Sequence, residues 1–310
     1  MRFGAGEKSV TMNNATEKSR RKWIGYVLFG ILLTLGVLYF RFPSEAVQGF
    51  LQARVEKANP QLALSLEKVS PSVTLGLKFQ APQLFLKTAP QKSIFKADRL
   101  HVRPTLLSLF RDQWTFCYSA LAYNGAFKGC TSIAKEKNGA PFQTSLVLKD
   151  VPMGGDNPLK EIIGRNLEGV LNGTVTYEGR SDSLIRGTGE IDLRLSEGRM
   201  ELVQPILNLD GIGFHEVLIK MTLNNRKLNL TRVALRGTNM NGTLTGVVNL
   251  NNDISRSSLN LRGTLEPFAN FIKDLTDSPD TVRLIRERLK RGKITFVIRG
   301  TIGDPNFRFM

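Results

Sequence analysis

The chain is poor in the side chains that most often carry out catalysis or bind metal ions. Its 310 residues include only two histidines, His101 and His215, and two cysteines, Cys117 and Cys130. Neither histidine has another histidine, a cysteine or a pair of acids beside it, and two isolated cysteines are too few for a structural zinc site. The Gly-x-Ser-x-Gly, His-Glu-x-x-His and Gly-Lys-Ser/Thr patterns of hydrolases, zinc peptidases and phosphate loops are also absent. These absences predict a protein that is not an enzyme and has no catalytic residue, bound metal or cofactor.

Charged residues are missing from one stretch, 23–40, whose 18 residues are rich in Leu, Val and Ile. As a helix this stretch would be about 27 Å long, which is enough to cross the hydrocarbon core of a bilayer. Four basic residues come directly before it: Lys18, Arg20, Arg21 and Lys22. Only Arg41 follows closely, so the positive-inside rule places the N-terminus in the cytoplasm. We predict a cytoplasmic tail over 1–22, a transmembrane helix over 23–40 and a periplasmic region over 41–310, with a candidate division near 150–158.

A cleaved signal peptide is the alternative to a permanent anchor. Ser44-Glu45-Ala46 has small residues at a spacing that resembles a cleavage site. However, the apolar region of a signal peptide usually has about 7–15 residues, and this one is longer and ends in aromatic side chains. We therefore favour a single-pass protein of the bacterial inner membrane. Under either interpretation the rest of the chain is exported to the periplasm.

The charge balance is strongly basic, with a formal net charge of +16. Six of the 43 bases and two of the 27 acids lie in residues 1–40, which leaves 37 bases and 25 acids, a net charge of +12, in the remainder. The predicted topology separates this region from nucleic acid, so we expect no nucleic-acid partner. Anionic phospholipid of the inner membrane is the more natural partner. A merely soluble basic surface is the alternative, because the charges are scattered.

Apolar and polar residues alternate along most of the chain after residue 60, as Leu62, Leu64 and Leu66 first show. A period of two is typical of strands with one apolar and one polar face. Ser44 is a suitable N-cap for a helix over Ser44–Ala58, and further helices are predicted over 158–168, 200–207, 266–275 and 281–291. The predicted fold is mainly β, of the α+β class. It has an N-terminal transmembrane helix followed by an elongated, curved antiparallel β-sheet domain with a few short helices.

A glycine followed by a threonine punctuates the second half of the chain six times. Four copies have the form aliphatic-Arg-Gly-Thr and two have Asn in place of Arg; their glycines are Gly187, Gly237, Gly263, Gly300, Gly173 and Gly242. The spacing is irregular, so the pattern is not a solenoid repeat. Glycine lets a strand bend or bulge, so we predict serial antiparallel strands that curve alike. Such a sheet must close, fold over as a sandwich or leave an open apolar groove, and the sequence does not decide between them.

The two cysteines flank a plausible hairpin turn, Ala122-Tyr123-Asn124-Gly125. In a hairpin with this turn they would face each other across two strands. The oxidising periplasm permits a disulfide between Cys117 and Cys130, and we favour that bond. Two buried free thiols are the alternative.

The predicted helix at 281–291 is basic and amphipathic. Its bases, with one that follows it, form a candidate contact for anionic lipid or an acidic partner: Arg283, Arg286, Arg288, Lys290, Arg291 and Lys293. A solvated helix face whose cations offset the helix dipole is the alternative, and we favour it.

Several segments together resemble a known family. After the basic tail and apolar stretch come FPSEAVQGFLQARVEKA, ADRLHVRPTLLSLF, a strand-rich region from about Leu171 onward, and the closing KITFVIRGTIGDPNFRF. This order resembles the type II secretion system protein N family, in its deltaproteobacterial and spirochaete form. The ending strand-Gly-Thr-x-x-x-Pro, at Gly300, Thr301 and Pro305, is also similar to AsmA-like envelope proteins.

The resemblance covers nearly all of the exported region, and its motifs are structural. It implies a single-pass inner-membrane protein that acts with other type II secretion subunits in moving folded proteins across the outer membrane. Its AsmA-like side implies instead a protein that binds or transfers phospholipid, or maintains the outer membrane, through a hydrophobic β-groove. Neither family is defined by a site, so no functional residue is carried over.

Overall fold

A computed structural model describes the chain over 13–58, 60–72, 76–87, 89–135, 139–154, 166–206, 209–269 and 292–310. The chain divides into two compact units, Met1–Val47 and Gln48–Met310, and each is described on its own. The described residues are mainly β, with one large antiparallel sheet and few helices. The alternation of apolar and polar residues predicted this class of fold.

Two helices open the chain, α1 (Asn13–Phe40) and α2 (Ser44–Ala58). Helix α2 begins at the predicted residue, and its Leu51 and Val55 are half-buried. Phe50 is 58% exposed, and its ring centre lies 5.1 Å from the Arg54 guanidinium. Among the residues that the structure describes, no helix combines the length and the apolar character needed to cross a membrane.

Among the residues that the structure describes, seventeen strands follow. Three of them form a small antiparallel sheet in the order β1-β4-β5: β1 (Leu62–Ser65), β4 (Gln83–Leu86) and β5 (Ala89–Lys96). The other fourteen form the large sheet. They are β2 (Lys68–Ser72), β3 (Gly76–Gln80), β6 (Arg99–Pro104), β7 (Gln113–Ala122), β8 (Gly125–Ala134), β9 (Pro141–Met153), β10 (Gly169–Arg180), β11 (Thr188–Ile206), β12 (Leu209–Asn224), β13 (Lys227–Gly237), β14 (Met240–Asn249), β15 (Ser258–Pro267), β16 (Ile294–Thr301) and β17 (Pro305–Phe309).

The large sheet is a serial meander, with β2 and β17 at its edges. From β6 to β17 every strand pairs with the next one along the chain, so consecutive turns lie at alternate ends of the sheet. We call the end that carries the β6–β7 turn the upper end, and the opposite end the lower end. The turn Tyr123-Asn124 between β7 and β8 has φ of 52° and 61°, the two left-handed residues that a tight type I′ hairpin needs.

The most deeply buried apolar side chains lie toward the lower end of the sheet. Met240 and Ile294 are 0% and 1% exposed, and they cluster with Ile212, Leu265 and Phe296. A second cluster joins Met153, Leu195 and Phe214. Every member of both clusters belongs to a strand of the large sheet, so these strands bury one another's side chains.

Two sequence predictions are wrong in the described residues. The helix predicted over 200–207 is strand: β11 continues to Ile206 because its backbone pairs with β12, for example Met200 opposite Ile212. Strand β9 runs to Met153 in register with β10, so residues 151–153 of the candidate division near 150–158 are strand. The predicted helix at 266–275 begins inside β15, which includes Glu266. The rest of that helix after residue 269, most of 158–168 and the helix at 281–291 lie outside the described residues.

The glycine-threonine pattern does not mark strand ends in general. Gly237 and Gly300 end or nearly end β13 and β16, but Gly263 lies in the middle of β15 and Gly187 lies in a turn. Gly173 sits at a register shift between β9 and β10, which is the bulge that the sequence predicted for this kind of glycine. The pattern therefore has several local structures. In the copies that lie within strands, the glycine side of the pattern faces the same side of the sheet.

Candidate functional site

The strand register brings apolar residues into line across the whole large sheet. Directly paired residues of an antiparallel sheet lie on the same face, so one row can be followed from edge to edge. It contains only apolar residues and glycine: Val69, Phe79, Leu100, Ala120, Phe127, Leu148, Gly173, Leu193, Ile219, Val233, Leu244, Gly263, Phe296 and Phe309. All fourteen strands contribute one residue each.

A second row runs beside the first on the same face. Its only polar side-chain atom is the hydroxyl of a tyrosine: Pro71, Leu77, Val102, Tyr118, Gly129, Leu146, Val175, Ile191, Met221, Leu230, Gly246, Leu261, Ile298 and Phe307. We call these two rows the apolar face. The period-two pattern predicted one apolar face for each strand, and the register joins them into one surface.

The opposite face of the same strands is mostly polar, and its charged residues are mainly basic. Between the two rows, the residues on that face run in register from β2 to β13: Ser70, Lys78, His101, Ser119, Lys128, Val147, Thr174, Asp192, Lys220 and Arg232. Asp192 and Lys220 form an ion pair of 2.7 Å. From β2 to β13 the sheet therefore has apolar side chains on one face and mostly polar side chains on the other.

The apolar face belongs to a single layer in the described part of the chain. There, the strands of the large sheet make extensive backbone contact only with their neighbours in sheet order and with adjoining turns. Some side chains of the apolar face, such as Phe296, are buried, whereas Phe127, Ile191 and Leu193 are only half-buried. They shield one another, and part of their apolar surface stays available to a ligand.

A shallow cavity of about 640 Å³ lies at the upper part of the polar face. Its lining combines hydroxyls and amides with the two carboxylates Glu178 and Glu190. The Tyr177 hydroxyl donates a 2.6 Å hydrogen bond to the Leu184 carbonyl, and burial raises the pKa of Tyr177. The described residues contain no group of three or more His, Cys, Asp or Glu side chains that could hold a metal ion. This cavity offers hydroxyl, amide and carboxylate groups for hydrogen bonds.

Neither histidine takes part in a reactive arrangement. Burial, followed by the nearby cations Arg103 and Lys78, lowers the pKa of His101, and its Nε2 atom is buried with no hydrogen-bond partner among the described residues. These conditions favour neutral imidazole. His215 is exposed, and its Nδ1 atom lies 3.2 Å from a Glu197 carboxylate oxygen.

The two cysteines are directly opposite each other on β7 and β8. They form a disulfide, with their Cα atoms 4.0 Å apart. The bond ties the β7–β8 hairpin together on the polar face, next to the cavity that Cys130 helps to line. Its position makes it a structural bond.

The predicted basic contact site can be placed only at its last residue. Lys293 is exposed, and its Nζ atom forms an ion pair with the Glu266 carboxylate. Arg283, Arg286, Arg288, Lys290 and Arg291 lie outside the described residues. That contact therefore stays a prediction.

Comparison of the chain with protein-family models, with curated proteins and with solved structures finds no match.

Proposed function

We propose that the protein binds lipid acyl chains along the apolar face of its large sheet. The observation that carries this proposal is the pair of unbroken apolar rows. Thirteen strand-to-strand steps of about 4.8 Å give each row a path of roughly 60 Å. The hydrocarbon core of a bilayer, which contains two acyl chains end to end, is about 30 Å thick. Each row is long enough for several acyl chains in succession.

The chemistry of the rows suits hydrocarbon better than a polar ligand. A peptide or sugar on this face would lose water from its polar groups without gaining hydrogen bonds, at a cost of about 1–3 kcal/mol for each unpaired group. An acyl chain has no such groups. It would instead remove apolar surface from water on both partners, worth about 25 cal/mol per Å².

The membrane anchor and the envelope location belong to the same proposal. Large apolar side chains on α1 are exposed, including Trp23 at 67%, Phe29 at 65% and Phe40 at 88%, and the stretch 23–40 has no charge. Lipid around such a helix would cover these side chains. The protein would then be held in the inner membrane as a single-pass protein, with residues after 41 in the periplasm, next to the phospholipid that it binds.

A role in type II secretion ranks second. It rests on the sequence resemblance, and no contact in the described residues favours secretion subunits as partners. Its test is a deletion strain: trapping of exoproteins in the periplasm would support it, and normal secretion would count against it. The expectation that the protein is not an enzyme also stays a prediction.

The lipid proposal is tested by photo-crosslinking in cells that express the full-length chain. Benzoylphenylalanine replaces Phe127 or Ile191 on the apolar face, and in matched variants it replaces the next residue along the strand, Lys128 or Asp192, on the polar face. We expect phospholipid adducts, detected by mass spectrometry of the purified protein, at the first pair and not at the second. Equal labelling of both faces, or no lipid adduct at either apolar position, would refute the proposal.

A further inference from the structure

One turn at the upper end of the large sheet buries a polar side chain and exposes two apolar ones. The turn joins β6 to β7 and contains a 3-10 helix, Leu106–Phe110. Ser108 is only 3% exposed, whereas Leu106 is 52% and Phe110 is 91% exposed. A Phe side chain left in water forgoes the favourable free energy of its burial. The turn therefore displays Leu106 and Phe110 outward and keeps the Ser108 hydroxyl inside.

Hydrogen bonds hold this turn in one conformation. The Thr105 amide donates to the Thr115 carbonyl at 2.9 Å, and the Arg111 amide donates to the Ser108 carbonyl at 3.2 Å. The Ser108 amide and hydroxyl both donate to the Thr105 carbonyl, at 2.9 and 2.5 Å. Because Ser108 is bonded inward, the exposure of Phe110 follows from the local structure.

The exposed residues of the turn adjoin two more on the strands beside it. Trp114 at the start of β7 pairs directly with Ile133 at the end of β8, and they are 40% and 38% exposed. Ile133 is six residues from Phe127, so both residues lie on the apolar face. We call Leu106, Phe110, Trp114 and Ile133 the apolar tip. It extends the apolar face to the upper end of the sheet.

Basic residues flank the apolar tip. Arg111 directly follows the 3-10 helix, whereas Arg103, which precedes it, lies on the polar face opposite Cys117; both are exposed. The Lys135 ammonium lies 4.9 Å from the centre of the Trp114 ring. Asp112 is the only acidic residue in the sequence from 103 to 135, which includes this turn and the strands β7 and β8. Aromatic and aliphatic side chains edged by Arg and Lys are typical of protein segments that lie in the headgroup layer of a membrane.

We propose that the apolar tip inserts into the headgroup region of a bilayer that contains anionic phospholipid. The bases would contact lipid phosphates while Phe110 and Leu106 enter the acyl boundary. This proposal deepens the proposed function. The membrane contact itself does not depend on acyl-chain binding by the rows, but its purpose rests on it: the tip would bring the adjoining apolar rows to the lipid that they bind. Other turns at the upper end expose single aliphatic residues, such as Leu184 and Ile254, and isolated residues of this kind are ordinary on protein surfaces.

The experiment uses the indole of the tip as its own probe. The chain has two tryptophans, Trp23 and Trp114, so Trp23→Phe leaves Trp114 alone in the full-length protein. The purified protein is placed in vesicles of phosphatidylethanolamine and phosphatidylglycerol. Brominated acyl chains are present either in these vesicles or in a second population added afterwards. We expect quenching of Trp114 fluorescence in at least one arrangement, and absence of quenching in both would overturn the proposal.

Paired variants separate the tip from the rest of the upper end. Leu106→Ser with Phe110→Ser should abolish quenching, whereas Leu184→Ser with Ile254→Ser should leave it unchanged. If both double variants lost the quenching of Trp114 equally, with unchanged circular dichroism, the result would contradict a contact confined to the tip. Arg111→Gln should weaken vesicle binding about fivefold, the effect of one basic charge near an anionic surface. No such effect on anionic vesicles would refute the role of charge.

The two lipid proposals fail in different ways. Lipid adducts at Phe127 together with an unquenched Trp114 would overturn only the membrane contact of the tip. Quenching of Trp114 without lipid adducts on the apolar face would support the tip and refute acyl-chain binding by the rows.

Discussion

Gly263 stands between two large side chains on the apolar face, Leu244 on one neighbouring strand and Phe296 on the other. A Cβ atom at this position would meet the Phe296 ring and would lie 2.5 Å from the Thr243 carbonyl oxygen. The Phe296 ring therefore occupies the space that a side chain at residue 263 would need. Other strand glycines of the apolar face, such as Gly246 beside Leu261, have the same kind of neighbour.

Gly263→Ala should destabilise the protein by about 1–3 kcal/mol, the usual cost of overpacking a filled site. The free energy of unfolding in urea measures it. Gly49→Ala in α2 is the matched control, because a Cβ there meets nothing within 4 Å and Ala favours a helix over Gly by about 1 kcal/mol. A Gly263→Ala protein as stable as the parent chain would show that Phe296 moves aside without cost.

The sequence interpretation of the glycine-threonine pattern was correct for one copy and incomplete for the others. In Leu261-Arg262-Gly263-Thr264 the leucine and glycine lie on the apolar face, and the arginine and threonine lie on the polar face. The period of two in this motif could be read from the sequence. Its reason, the Phe296 ring opposite the glycine, depends on a residue more than 30 positions away and could not.

At the level of elements, the β7–β8 hairpin is a unit with two local constraints. Tyr123 and Asn124 both have left-handed φ, and the cross-strand disulfide closes a sequence separation of 13 residues. In the chain-entropy description, a loop of this size stabilises a fold by about 3 kcal/mol. The hairpin and the proximity of its cysteines could be predicted from the spacing and the turn residues, because both are local.

Cys117→Ser with Cys130→Ser should therefore lower the free energy of unfolding by about 3 kcal/mol. Urea unfolding followed by circular dichroism measures the change. The parent chain treated with a reducing agent is the control and should match the double variant, whereas the double variant should not respond to the reagent. Equal stability of the oxidised parent and the double variant would contradict a stabilising role for the bond.

At the level of the whole molecule, the large sheet has two edges that could pair with another chain. Pro71 lies in the edge strand β2 and has no backbone N–H to donate, and the other edge strand, β17, has only five residues. Short edge strands and edge prolines limit pairing between sheets. These features limit the addition of further strands from another chain at the two edges of the sheet. Phe307 and Phe309 extend the apolar face as far as the edge strand β17.

Pro71→Val should increase self-association, because it returns a hydrogen-bond donor and a β-branched residue to β2. Light scattering of the full-length chain at rising concentration in one detergent checks this. Ser70→Val is the matched control, since it adds the same side chain to the same strand but leaves the proline in place. Identical scattering by the two variants would show that Pro71 does not protect this edge.

The sequence by itself determined that the chain is mainly β, that most strands have one apolar face and that Cys117 and Cys130 can meet. These properties are local, because they follow from a period of two and from one tight turn. It did not reveal that 200–206 is strand, since backbone pairing with β12 overrides the short-range pattern there. Nor did it reveal the inward hydrogen bonds of Ser108 that leave Phe110 exposed.

Only the tertiary structure decided that the apolar faces of fourteen strands form two continuous rows. A shift of one residue in any register would turn that strand's apolar side chains to the polar side. Pairing between strands therefore converts a repeated local pattern into a surface about 60 Å long, and the sequence contains the pattern without specifying which residues stand opposite one another.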